Sequence, residues 1–254
     1  MTSRYSVSLN NTTLSSLDNS IYINDIVYGT IAKQINSNRI ATHDGGFSGR
    51  EYIAEQKIQI LFTVRKYVTT DRQDVIQKII GWASAGGWLK TSDRTNQRIY
   101  VKCTQYPTAG SVMRWLDTLA IEFTAFDYPY WENTNFIYKT VSNGSSDTLV
   151  RTGKLPAFGI VEITAAATLT SVSVTVGSTT IALDNISVAS GAKINIDYSD
   201  EHHILQIYSG TTSLLDKRTA ASDDDLIFKT GSNTISFTAS GSATAKIGCK
   251  EVYL

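Results

Sequence analysis

The chain has 254 residues, 42% hydrophobic and 18% charged, with lysine plus arginine equal to aspartate plus glutamate at 23 each. That composition belongs to a globular protein with room for a sizeable core, in one large β domain or two of ordinary size. It excludes an intrinsically disordered chain, and a balanced charge gives no general attraction to nucleic acid or to an anionic membrane.

No stretch approaches the roughly 20 consecutive apolar residues that span a bilayer. The opening MTSRYSVSLNN lacks the apolar centre of a secretory signal. The expectation is a chain kept in the cytosol, or one that leaves by a route needing no signal peptide. Cys103 and Cys249 fall in different predicted domains without a CxxC partner and read as two reduced strand cysteines.

Residues 3–9 and 20–28 (SIYINDIVY) alternate apolar and polar and predict half-buried strands. Between Ile31 and Lys57 the chain turns polar and centres on Asp44-Gly45-Gly46, where glycine supplies positive φ for a turn. This reads as a long exposed hairpin arm that buries little within its own domain. It is either a candidate assembly element or a plain surface loop. If it assembles, the residues to bury against another subunit are Ile35, Arg39, Ile40, His43, Phe47, Arg50 and Tyr52.

Lys57 to Tyr67 (KIQILFTVRKY) is the clearest strand of the first half. Thr70-Asp71 then offers an N-cap, with Val75, Ile76, Ile79, Ile80 and Ala83 at helical spacing behind it. Asp71 and Asp74 suit the first turn of that helix, and Gly86-Gly87 stops it. A strand–turn–strand follows in GGWLKTSDRTNQRIYVKC, and a last strand runs into FTAFDYPYWE.

That aromatic, proline-bearing stop also marks a break in composition. Trp82, Trp88, Trp115 and Trp131 all precede or end it, and the remainder is a series of strands punctuated by Ser, Thr and Gly. The expected fold is mainly β in two domains, with any hinge near 133–140 short. Residues 1–133 form an α+β domain, a β-sandwich with one flanking helix and the hairpin arm. Residues 134–254 form a second β-sandwich, with turns at NGSSDT and RTGKLPAFG.

Catalytic chemistry finds little to work with. His43 lies in the arm, and the adjacent His202 and His203, placed on a strand edge, would point to opposite faces and could not share a metal. Asp223-Asp224-Asp225 lacks the shaped loop that a calcium ion needs and reads as a solvated turn. Spacing pairs no two glutamates for glycoside hydrolysis, and GxSxG, HExxH, P-loop and GxGxxG patterns are absent. The sequence reads as a non-enzyme with no cofactor. The four tryptophans fit a core or a subunit interface more simply than a sugar platform.

Several stretches, taken in order, resemble the distal tail proteins of long-tailed bacteriophages. TVRKYVTTDRQDVIQKIIGWAS is a strand and a helix ending near a tryptophan, and WLKTSDRTNQRIYVKC holds an acidic and a basic residue in its turn. EFTAFDYPYW supplies the aromatic–acid–proline stop, although Tyr128 is inserted between acid and proline. In the second half GKLPAFGIVEI, VTVGSTTIAL, GAKINID, DDDLIFKTGSNTISFTASG and KIGCKEVYL follow the family's order of strands. The resemblance covers nearly the whole chain, and the length leaves no room for an inserted sugar-binding module.

It implies a homo-hexameric ring formed by the first domain around the DNA passage, the arm gripping the neighbouring subunit. It implies a galectin-like second domain that projects outward to dock receptor-binding or other tip proteins. Ring partners would be the tail tube protein and the tail-associated hub protein. DNA would only pass through the lumen, without membrane insertion. The place would be the virion tail tip, assembled in the bacterial host cytoplasm. Two rivals remain: a carbohydrate-binding protein acting through the C-terminal sandwich, and a cell-wall-degrading enzyme for which no acid–base pair can be assigned.

Overall fold

Period-two alternation makes strands of most of the chain. The computed structural model describes residues 5–30, 33–39, 46–107 and 118–254 and is mainly antiparallel β, with one α-helix among the described residues. Two units separate, Met1–Trp131 with Leu254, and Glu132–Tyr253.

In the first unit the strands are β1 (Val7–Leu9), β2 (Thr12–Thr13), β3 (Ile21–Tyr28), β4 (Lys33–Arg39), β5 (Gly46–Ile53) and β6 (Gln56–Val64). Helix α1 (Thr69–Ser84) follows, then β7 (Gly87–Thr91), β8 (Gln97–Gln105) and β9 (Thr118–Ala125). Seven of these strands hydrogen-bond in the antiparallel order β3-β6-β9-β8-β7-β1-β2. Strand β8 serves both halves of that order. Its Ile99–Val101 pair with β7, its Lys102 and Cys103 pair with β9, and a bulge follows between Cys103 and Gln105. Alternate residues of the central strands, such as Ile58, Ile60, Phe62, Ile121 and Phe123, are wholly buried.

The helix buries Val75, Ile76, Ile79 and Ala83, the predicted stripe, with Ile80 at its half-buried margin. Its start differs from expectation. Thr69 and Thr70 are already helical, Val68 occupies the cap position without a side-chain cap bond, and of the two aspartates only Asp71 lies in the first turn. The Arg72 N–H donates to the Val68 carbonyl, so the backbone itself closes the first turn. At the other end Gly86 and Gly87 have φ of +61° and +129°. Asn10 clamps this turn, its amide donating to the Gly86 carbonyl and accepting from Trp88 N–H. A Cβ on Gly87 would collide with that amide, which makes glycine obligatory there.

The second unit carries β10 (Trp131–Ser142, opening on the last residue of the first unit), β11 (Ser145–Arg151), β12 (Ala157–Ala165), β13 (Val172–Val176) and β14 (Thr179–Leu183). It continues with β15 (Lys193–Tyr198), β16 (Leu205–Ser209), β17 (Thr212–Ser213), β18 (Ile227–Phe228), β19 (Gly231–Ala239) and β20 (Ala243–Tyr253). One sheet has the order β11-β19-β13-β14, and another runs β17-β16-β15-β12-β20-β10 with β18 also on β12. Inward residues of both sheets, among them Val161, Ile163, Val174, Ile235, Phe237 and Ile247, are buried.

Strand β10 runs unbroken through residues 133–140, and the two units divide between Trp131 and Glu132. One expectation about this half needs correction. Of the turn cluster NGSSDT only Asn143-Gly144 is a turn, with Gly144 at φ +77°. The serines and Asp147 already pair in β11 against β19, where cross-strand partners outweigh their weak strand propensity.

Candidate assembly elements and buried polar nodes

Strands β4 and β5 pair only with each other among the described residues. They form a two-stranded sheet of their own, and their register is in step with that of the β3–β6 pair. Tyr28 pairs with Ile58, Gly29 N–H donates to the Lys57 carbonyl, and Lys33 pairs with Ile53, so both strands advance by the same number of residues. The neighbouring strand β9 ends at Ala125, opposite Gln56. The arm therefore keeps the register of the strand pair on either side of it. A lone two-stranded hairpin is marginal in water, so this one needs support from elsewhere.

The arm candidates fall along it by register: Ile35 opposite Glu51, Arg39 opposite Gly46, Phe47 opposite Asn38 and Tyr52 opposite Gln34. Arg50 lies within β5. Ile40, His43 and the turn at Asp44-Gly45 lie outside the described residues.

The stop motif and the acid–base turn meet in one node of the first unit. Trp131 is wholly buried, its ring edge-on to Tyr28 at 5.9 Å and covered by the Arg94 guanidinium at 4.7 Å. Arg94 also donates to the Leu254 carbonyl at 3.0 Å. The Tyr28 hydroxyl donates to the Asp93 carboxylate at 2.8 Å and lies 3.0 Å from the Thr91 hydroxyl. Burial, reinforced by Asp93, pushes the Tyr28 phenol up to about 12. Asp93 and Arg94 are the acidic and basic residues of the turn in WLKTSDRTNQRIYVKC, and no local pattern joins them or Trp131 to Tyr28.

The other described tryptophans also pack. Trp82 stands edge-on to Phe123 at 5.9 Å and donates to the Thr12 carbonyl. Trp88 packs on Tyr100 at 5.4 Å beneath the Arg98 guanidinium. Trp115 lies outside the described residues.

In the second unit Arg151 of β11 and Glu251 of β20 form a buried ion pair at 3.0 Å, with side-chain exposures of 0% and 5%. Arg151 donates further to the Phe228 carbonyl, and Glu251 accepts the N–H groups of Thr152 and Gly153 at 2.9 and 2.8 Å. A Cβ on Gly153 would strike the Glu251 carboxylate. Nothing in the local sequence pattern pointed to this pair, whose members lie a hundred positions apart.

Glu132 is buried and bonded by Lys250 at 3.0 Å, with the His203 imidazole 4.0 Å away. Asp197 belongs to the same surroundings, and burial raises its carboxyl above the usual range. His202 and His203 lie in the turn between β15 and β16 rather than on a strand edge, with His203 at φ +50°. The aspartate run lies in the irregular connection before β18: Asp223 accepts Thr180 N–H at 2.6 Å and Asp224 pairs with Arg218 at 3.3 Å. Among the described residues no cluster of His, Cys, Asp or Glu could hold a metal ion, and no helix is long and apolar enough to cross a membrane. Both cysteines are free thiols; burial pushes Cys103 up to about 11 and Cys249 up to about 12.

No protein-family model and no curated protein matches the sequence. Solved structures do match, and they define the class: the chain has the fold of phage distal tail and baseplate proteins. The SPP1 Dit protein, described as a paradigm of hub adsorption apparatus in phages infecting Gram-positive bacteria, aligns with a TM-score of 0.73 and 14% identity. That alignment covers 98% of this chain and 99% of the SPP1 chain. A chain of the phage P2 baseplate in its activated, calcium-containing conformation aligns with a TM-score of 0.53 and 10% identity, covering 97% of both.

Proposed function

We propose that this chain is a structural adaptor of a long-tailed phage or prophage-derived tail. In this reading it forms a hexameric ring that joins the tail tube to the tip. The observation that carries the reading is the end-to-end match in fold to SPP1 Dit. Residues 1–133 form the ring, and the arm supports it by reaching a neighbouring subunit through Ile35, Arg39, Ile40, His43, Phe47, Arg50 and Tyr52. Residues 134–254 are a galectin-like sandwich that docks receptor-binding or other tip proteins. The ring faces meet the tail tube protein and the hub protein, and DNA passes through without being read. A balanced charge suits such a conduit, since tight phosphate binding takes many uncompensated cations.

The role is non-enzymatic and its place is the virion tail tip, after assembly in the bacterial cytoplasm. Negative-stain images of the purified protein test the proposal, with light scattering at high concentration and physiological salt beside them. A six-lobed ring is expected. A purely monomeric species, both alone and when mixed with the tail tube protein, would sink it.

A further inference from the structure

Helix α1 buries one charged residue in line with its apolar stripe. Arg72 is 5% exposed, at the head of the row formed by Val75, Ile76 and Ile79. An arginine keeps its charge at any working pH, and a charge taken out of water needs a partner. The match here is poor. The Arg72 Nε is shielded from solvent without a hydrogen-bond partner among the described residues. The guanidinium makes a single bond among them, from Nη2 to the Thr69 hydroxyl at a long 3.3 Å. Asp71 and Asp74 are exposed, at positions that do not face Arg72. Asp18 is turned to Ser20 and Lys66.

The same end of the helix holds further donors. The N–H groups of Thr69, Thr70 and Asp71 precede the first helical bond, and no side chain caps them. They form the positive end of the helix dipole. Long side chains on a helix run back toward its N-terminus, and the bond to Thr69 places the Arg72 guanidinium there. Its stem and Nε are covered, while Nη2 comes up beside the exposed Thr69. Guanidinium and backbone donors therefore converge where a partner can reach them. Next to this point Tyr67 and Val68 are 85% and 55% exposed.

We propose that the N-terminal end of α1 is a docking point for an acidic side chain of a protein partner, its carboxylate held by the Arg72 Nη groups, the Thr69 hydroxyl and the first-turn N–H groups. Charge complementarity selects an oxyanion. The exposed Tyr67 and Val68 select one carried on a protein, because a free ion gains nothing from an apolar neighbour. The inference goes beyond the adaptor reading and stands whether or not a ring forms.

NMR spectra of the backbone amides and arginine Nε–H groups of the full chain test it. The probes are acetyl-Leu-Asp-Leu-amide, acetyl-Leu-Asn-Leu-amide and inorganic phosphate. The aspartyl peptide is expected to shift the Arg72 Nε–H signal and the Thr69–Asp71 amides saturably, and to bind more tightly than either other probe. Arg72→Met should weaken it about 10-fold or more, the worth of a hydrogen bond to a charged group. Lys78→Met removes an exposed cation from the same helix beyond its first turn and should bind like the parent. Without any probe, Arg72→Met should melt above the parent, because it removes a buried charge that nothing matches. A melt no higher than the parent's would mean that the guanidinium is already satisfied in the free chain, and it overturns the proposal. So does the absence of shifts with the aspartyl peptide, or binding that Arg72→Met leaves intact. Phosphate binding more tightly than the aspartyl peptide marks a free-ion site and overturns the protein partner.

Discussion

Arg151 and Glu251 meet at 3.0 Å with no water-accessible guanidinium surface, tying β11 of one sheet to β20 of the other within the second unit. Such a pair is costly to bury and costlier to break. Removing one partner leaves an unmatched charge, and losses of about 3–5 kcal/mol are usual.

Glu251→Ala is therefore expected to lower stability by about 3–5 kcal/mol. The double change Arg151→Met with Glu251→Leu removes both charges, yet it still strands the Phe228 carbonyl and the Thr152 and Gly153 N–H groups. It should recover part of the loss and not all of it. Gly153→Ala should destabilise by itself through the collision with the carboxylate. Urea unfolding followed by circular dichroism measures each. All four tryptophans precede residue 132, so tryptophan fluorescence read in parallel reports the first unit alone. A double variant as stable as the parent would refute the role given to the stranded backbone groups.

In the first unit, Trp131→Ala is expected to cost about 3–5 kcal/mol, the range for truncating a large buried aromatic. Arg94→Lys keeps the charge but loses the planar cover over the ring and should cost less. Chemical denaturation of the two variants checks the ranking, and a reversed order would contradict it.

Tyr28 gives the first unit an alkaline weakness. Its phenol is pushed from an ordinary 10 up to about 12 in the folded chain, so folding favours the neutral form. The associated stability is fully present below pH 10 and is lost as the pH rises through about 12. Tyr28→Phe should flatten this part of the stability profile while lowering stability at neutral pH through loss of the Asp93 bond. Ultraviolet titration of tyrosinate with parallel melts decides it; an unchanged alkaline slope in Tyr28→Phe would exclude Tyr28 as the cause.

Replacing residues 36–49 by a short turn should leave the thermal melt of the chain nearly unchanged, because the sheet order of the first unit does not include β4 or β5. On the ring proposal, the same change should abolish or weaken assembly. Mass photometry compares the two proteins, and an oligomer indifferent to the deletion removes the arm from the assembly.

Local chemistry made much of the fold readable. Period-two alternation located most strands, and the 3.6-residue stripe from Val75 to Ala83 located the helix. What failed was finer. Thr70 looked like a cap because threonine can be one, but the backbone had already closed a turn at Val68. His202-His203 reads as strand because nothing in the residue type announces that His203 adopts a left-handed conformation. Long-range polar nodes stayed hidden for a different reason. Arg151 finds Glu251, and Lys250 finds Glu132, only after the sheets have formed.

The pairing of β4 with β5 alone has a mechanical consequence. Tension along the arm is carried lengthwise by the rungs of these two strands together. A sideways pull would instead open the ladder one rung at a time from its tip. The irregularity between Ile35 and Ser37 breaks the run of rungs part-way out and is where such a lever bends first.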